Sequence, residues 1–161
     1  MEQWYLACYK PGKGNIYKAQ AALCYVSCTA FCPQIRTQRP RADRPGQSRQ
    51  SIEPLFPGYF FLLFDPEEIH TSRIEECPGV SYLVRSSGKI TPIRSMVVEQ
   101  LMCLPVCQDA FARKYPVRRN VIRQNQRIAS QIENFIGNTQ PDERGPLSLA
   151  LIKALEDECD P

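Results

Sequence analysis

Histidine is nearly missing from this sequence: His70 is the only one in 161 residues. An imidazole-based metal centre or nucleophile pair would have to recruit that one side chain. The eight cysteines never form a Cys-x-x-Cys pair. Cys24, Cys28 and Cys32 stand four apart, and Cys103 and Cys107 repeat that interval. Zinc sites use closer pairs or added histidines, so these cysteines read as reduced, small core residues of a cytosolic protein, and no metal or other cofactor is expected. A nucleotide loop is missing too, since Gly12-Lys13-Gly14 has neither the spacing nor the following Ser or Thr that cradles phosphate. No apolar run approaches the roughly 18 residues of a membrane span. Met1-Glu2-Gln3-Trp4 lacks the basic and apolar features of a signal peptide, which gives the expectation of a cytoplasmic protein with no membrane partner. The formal charge of +3 and pI near 8.4 tolerate a nucleic-acid partner without demanding one. An enzyme reading is left without a constellation to carry it.

What is present is globular: 43% of residues are hydrophobic and 23% charged, despite 14 prolines, and the length suits one domain or a domain near 100 residues with a smaller unit. Residues 3 to 9 alternate, with Trp4, Leu6 and Cys8 on one side and Tyr5, Ala7 and Tyr9 on the other, which predicts a strand. After the break at Pro11-Gly12-Lys13-Gly14, Asn15 as a cap and Ile16, Ala19, Leu23 and Val26 at helical spacing predict a helix over 15–26. Thr29 to Ile35 reads as an edge strand interrupted by Pro33. Arg36, Arg39, Arg41, Arg44 and Arg49 lie in a Pro/Gly/Ser-containing stretch with little apolar content, which predicts a solvated loop. Gly58 to Phe64 is the most apolar run and predicts a central strand; Val80 to Val84 predicts another. Val97, Val98, Leu101, Met102 and Leu104 predict a second helix. The sum over 1–104 is an α+β unit with a sheet flanked by helices.

From Pro105 to Pro116 the helical pattern fails, so 105–116 reads as a linker and 117–161 as a separate region. In that tail Val121, Ile128, Ile132, Phe135 and Ile136 fit one helical face. Leu147 to Leu151 alternates like a strand, while Leu147, Leu151 and Leu155 recur like a helix; both readings stay open.

The segment Ser51 to Phe61, containing Pro54-Leu55-Phe56-Pro57-Gly58-Tyr59-Phe60-Phe61, resembles the signature of the NusG/RfaH family of transcription elongation and antitermination factors. Trp4-Tyr5-Leu6, Ala19-Gln20, Phe64-Asp65-Pro66, His70-Thr71-Ser72 and Gly79 to Arg85 resemble further pieces of that family in the same order. Within it the pattern is nearest RfaH-like members, including plasmid-borne ActX-like regulators. The resemblance covers about 1–104 and implies an N-terminal domain of the NGN type with an antiparallel sheet. The tail resembles the family's small KOW region, entered at Lys114-Tyr115-Pro116, and is expected as a helical hairpin or a β-barrel.

By that resemblance the protein binds RNA polymerase as a monomer in the bacterial transcription complex and suppresses pausing and termination, in an operon-specific way. Phe56, Tyr59 and Phe61 would face the clamp helices, and His70, Thr71 and Ser72 the gate loop. Lys10, Lys13, Lys18 and Arg73 would meet the non-template DNA strand, although Ala22, Tyr25 and Cys77-Pro78 depart from RfaH on that face. Glu53 and Arg144 would form an interdomain latch, and Leu151 and Ile152 would touch ribosomal protein S10 once the tail is released. The alternative from another class is a nucleic-acid-binding repressor that acts without polymerase.

Overall fold

A computed structural model describes residues 1–104, 106, 107 and 125–159. Its centre is a four-stranded sheet in which β1 (Gln3–Tyr9) and β5 (Tyr59–Phe64) lie side by side, antiparallel, with β2 (Thr29–Phe31) and β6 (Val80–Leu83) at the edges. Trp4 faces Leu63, Leu6 faces Phe61 and Cys8 faces Tyr59 across the central pair. Residues 4–8 are all buried, because both faces of β1 are covered. Tyr5, Ala7, Phe60 and Leu62 pack under α1 (Asn15–Tyr25) and α2 (Thr71–Glu75) through Ala19, Leu23 and Ile74. Trp4, Leu6 and Phe61 turn the other way, toward α3 (Ser95–Met102) and the helices of the tail.

Helix α1 starts at Asn15 as expected, but Asn15 is not its cap. Gly14, at φ 81°, is the N-cap and makes no side-chain cap bond. Asn15 lies inside the helix, where its Nδ2 donates to the Pro11 carbonyl at 2.7 Å and closes the preceding turn. The expected second strand is divided at Cys32-Pro33, since proline has no N–H to donate to the ladder. The chain leaves the four-stranded sheet there and starts β3 (Gln34–Pro40).

The arginine-rich stretch is not a loop. It is a two-stranded antiparallel ribbon of β3 and β4 (Ser48–Pro54), paired from Gln34↔Pro54 to Pro40↔Ser48. Backbone pairing needs no apolar side chains, and only 41–47 remains as the reversal, with Gly46 at φ 86°. A smaller hairpin, β7 (Arg85–Ser86) with β8 (Lys89–Ile90), escaped the periodicity reading. Its turn residues Ser87 and Gly88 both have positive φ, 52° and 77°, as a two-residue reversal of this hand requires.

The tail is helical: α4 (Gln126–Asn138), α5 (Pro141–Arg144) and α6 (Ser148–Cys159). Asn125 caps α4 by accepting from Arg127 N at 3.0 Å and Ile128 N at 3.4 Å. Gln140 and Glu143 form a reciprocal capping box around Pro141. The double pattern at Leu147–Leu151 resolves as helix, with Leu151 and Leu155 buried. The expected linker, apart from Val106 and Cys107, together with Lys114-Tyr115-Pro116 and Val121, lies outside the described residues. No helix among the described residues is long and apolar enough to cross a membrane.

Gly79 fixes the seat of α1 on the sheet. It has φ +84°, and a Cβ there would stand 2.3 Å from the Asn15 carbonyl oxygen and 2.7 Å from Ala19 N. Both are backbone atoms of the helix, so neither can swing aside. Gly79→Ala is expected to lose at least about 2 kcal/mol from strain and displacement together, read as a lowered midpoint in denaturant unfolding.

Candidate functional site: an aromatic face under a helical cover

The alternation of β5 divides its aromatics. Phe60, Leu62 and Phe64 face α1, and Tyr59 and Phe61 face the tail. Phe56 joins them from the turn before the strand, where Tyr59 N donates to the Phe56 carbonyl at 3.0 Å and Gly58 takes φ 92°. Phe61 lies 6.2 Å, centroid to centroid, from both Phe31 and Phe56, and Phe56 meets Phe135 of α4 edge-on at 5.9 Å. Phe56 and Phe61 are fully buried while Tyr59 is partly exposed. Among the three sequence-derived contacts, Phe61 is thus the floor of the face, and Phe56 and Tyr59 are what the tail touches.

The cover shares one hydrophobic core with the sheet: Ile128 and Ile132 of α4 and Leu151, Ile152 and Leu155 of α6 pack with Leu6, Phe56, Val98 and Leu101. Leu151 and Ile152, expected as contacts to another protein, are both buried here. Two polar links tie the seam, Asn125 N donating to Gln100 Oε1 at 2.9 Å and Arg94 N donating to Glu156 Oε1 at 3.1 Å. Gly145 is the point of closest approach. A Cβ there would lie 2.6 Å from the Pro57 carbonyl oxygen and 3.2 Å from the Tyr59 ring. Sequence reasoning placed Phe135 on the helical face without naming its contact and missed Gly145 and the Gln100–Asn125 link; the Asn preceding an apolar periodic run was the one signal available for the last.

Arg144, next to that contact, is only 4% exposed, and its Nε and Nη1 have no hydrogen-bond partner. The expected pairing with Glu53 is therefore not made through those two atoms. Glu53 is half-buried near the end of β4 and is itself engaged. Unsatisfied buried donors cost roughly 1–3 kcal/mol each, more when charged, so a partner to these two atoms would strengthen the closed seam.

His70, Thr71 and Ser72 are brought together as the start of α2. His70 is the N-cap: its Nδ1 accepts from Ser72 N at 3.2 Å and lies 2.7 Å from Ser72 Oγ. His70 and Ser72 are exposed, so this short polar corner faces solvent. Lys10, Lys13 and Lys18 are exposed around the turn leading into α1, where Lys10 N donates to the Gly79 carbonyl at 2.8 Å. Arg73, exposed on α2, acts electrostatically on the thiols of Cys77 and of Cys28, which follows the C-terminal end of α1.

Burial pushes the Cys28 thiol up to about 11 and that of Cys32 up to about 12, and it raises Cys107 as well. Gln34 spans the last two, its backbone N 3.2 Å from Cys107 Sγ and its Nε2 3.4 Å from Cys32 Sγ. Such thiols are poor nucleophiles and poor metal ligands near neutral pH. Among the described residues no three His, Cys, Asp or Glu side chains are grouped to hold a metal ion.

Comparison with known proteins places these features in context. A family model described as transcription termination factor NusG matches residues 2–102. A solved structure concerned with domain interaction in Thermotoga maritima NusG is similar at 22% identity, covering 65% of this chain and 57% of that one, with a TM-score of 0.39.

At pH 8 Cys28 and Cys32 should stay protonated, and exposed Cys24 should react first with iodoacetamide. Peptide mass mapping is expected to find Cys24 labelled long before Cys28 and Cys32, which react only in denaturant. Raised thiol values also favour the folded state below the ordinary thiol pKa of 9.0, so stability should fall as pH climbs from there toward about 12. Rapid labelling of Cys32 in the native protein would contradict both expectations.

Proposed function

Since the chain belongs to the NusG family, we propose that it is an operon-specific, RfaH-like elongation and antitermination factor whose tail masks its own polymerase-binding face. The family is one of non-catalytic transcription factors. In this reading residues 1–104 dock on the clamp helices of RNA polymerase through Phe56, Tyr59 and Phe61. His70, Thr71 and Ser72 supply donors and acceptors to the gate loop, and Lys10, Lys13, Lys18 and Arg73 meet the non-template strand. Residues 117–161 form the removable cover, with 105–116 as the linker.

The observation that carries this reading is the closure of the tail over Phe56 and Tyr59, the residues that the family resemblance assigns to the polymerase, with Phe135 of α4 against Phe56 and Gly145, just after α5, against Tyr59. A free domain would present these aromatics as a patch suited to a helical partner, because they bury much area at little entropic cost. Leu147, just before α6, and Leu149 within it support a tail with a second use: they are 42% and 50% exposed, yet as a strand they would share a face with Leu151. That second form would be the KOW-like barrel, with Leu151 and Ile152 freed to meet ribosomal protein S10. The Glu53 and Arg144 latch belongs to the same proposal. With the Arg144 guanidinium buried, such a pair would largely offset its own desolvation, so its role would be to set which form closes.

Phe61 is a poor probe of docking, because its truncation would cost the fold roughly 3–5 kcal/mol. Tyr59→Ala and Gly145→Val are cleaner. The valine fits the helical φ of −59° at Gly145 but collides with Pro57 and Tyr59. In pull-down on core polymerase, Gly145→Val is expected to bind at least severalfold more strongly than wild type by raising the uncovered population, and Tyr59→Ala in that background to lose the gain. Gly145→Val that fails to bind polymerase while its tail amides have lost exchange protection would overturn the reading.

A further inference from the structure

Apart from Ile35 and Glu53 at its base, the β3–β4 ribbon stands clear of the cover and of the face beneath it. Beyond Ile35 at its base, the residues of the two strands and the 41–47 reversal are exposed or only half-buried where their side chains are described. Residues 34–54 hold five arginines, no lysine, and only Asp43 and Glu53 as acids, so this segment alone accounts for the chain's net charge of +3. The remaining residues balance. Asp43 is spent locally, taking Arg41 in a two-pronged pair at 2.8 and 3.1 Å. Arg36, Arg44 and Arg49 pair with no acid among the described residues.

A charged edge that only discourages aggregation is usually built with lysine, the flexible and strongly hydrated cation. Arginine throughout points to a planar, oxygen-rich partner such as phosphate or a guanine edge. The shape narrows the partner. Seven residues per strand give a ribbon of about 23 Å, and two strands fit the roughly 12 Å wide major groove of B-form DNA. The deep, narrow major groove of an A-form duplex excludes such a ribbon. One face carries Arg36 opposite Ile52 and Gln38 opposite Gln50. Ile52 is 60% exposed, an unusual position for isoleucine unless it meets an apolar edge such as the thymine methyl, and glutamine can bond an adenine edge in two places.

We propose that the β3–β4 ribbon is a double-stranded DNA-binding arm, lying in the major groove with Arg36, Arg44 and Arg49 on the phosphates. It is separate from the lysines around the turn into α1 and requires no polymerase, so its outcome is independent of the docking reading above. The test is fluorescence anisotropy of the full chain on a labelled DNA duplex of roughly two helical turns, titrated from roughly 50 to 200 mM salt without polymerase. Wild type is expected to bind duplex DNA more tightly than an RNA duplex of the same sequence. Arg36→Gln/Arg44→Gln/Arg49→Gln should weaken binding about tenfold or more and flatten the log–log salt slope by about 2–3. Arg44→Gln alone, at the exposed reversal where no packing is lost, should flatten it by about 1, which keeps the test valid if the triple variant is less stable. Equal affinity and slope for wild type and both variants would overturn the proposal, and so would RNA duplex binding as tight as DNA.

Discussion

A strand that is apolar on both faces must be covered twice, and β5 is such a strand. Phe60, Leu62 and Phe64 obtain their cover from α1 and from α2, which follows the strand after only six residues. Tyr59 and Phe61, with Phe56 beside them, obtain theirs partly from α3 and otherwise from helices that begin only after the 61 intervening residues 65–125. Burial of aromatic area drives this closure, at about 25 cal/mol per Å² removed from water. The remaining organisation follows from it. The tail must be amphipathic, Gly145 must lack a side chain where it meets Pro57 and Tyr59, and the seam takes its polar links at Gln100 and Arg94.

The same seam contains features that oppose its permanence. Arg144 is buried with two donors unsatisfied, Leu147 is exposed just before α6, and Leu149 is half-exposed at a cleft it lines with Val84 and Ile93. A cover optimised only for stability would carry none of these. In the proposed reading a partner that binds the same face shifts closure toward the uncovered form by its differential affinity for the two states. On that reading masking and recognition use the same aromatic surface, which would make β5 both a folding and a docking element.

Much of this was legible in the order of residues. The central strand, the flanking helices and the family resemblance all follow from local signals at Trp4–Tyr9, Ala19–Leu23 and Pro54–Phe61, where periodicity and turn residues agree. The ribbon was not legible, because its pairing from Gln34 to Pro54 rests on backbone hydrogen bonds and on a reversal at Pro45-Gly46, with almost no apolar alternation. The Leu147–Leu151 segment satisfies two periods at once, and only its tertiary partners, Val98 and Leu101 among them, select the helix. The state of Arg144 was equally out of reach, since burial and missing partners are properties of the assembled seam.

Amide hydrogen exchange across residues 126–159, recorded for the full chain alone and with excess core RNA polymerase, tests the masking relation most directly. Protection at Ile128, Ile132, Leu151 and Leu155 should be present in the free protein and collapse in the complex, while β1 and β5 stay protected. Unchanged protection of the tail in a complex that has demonstrably formed would contradict it, for the aromatic face would then be covered and bound by polymerase through some other surface.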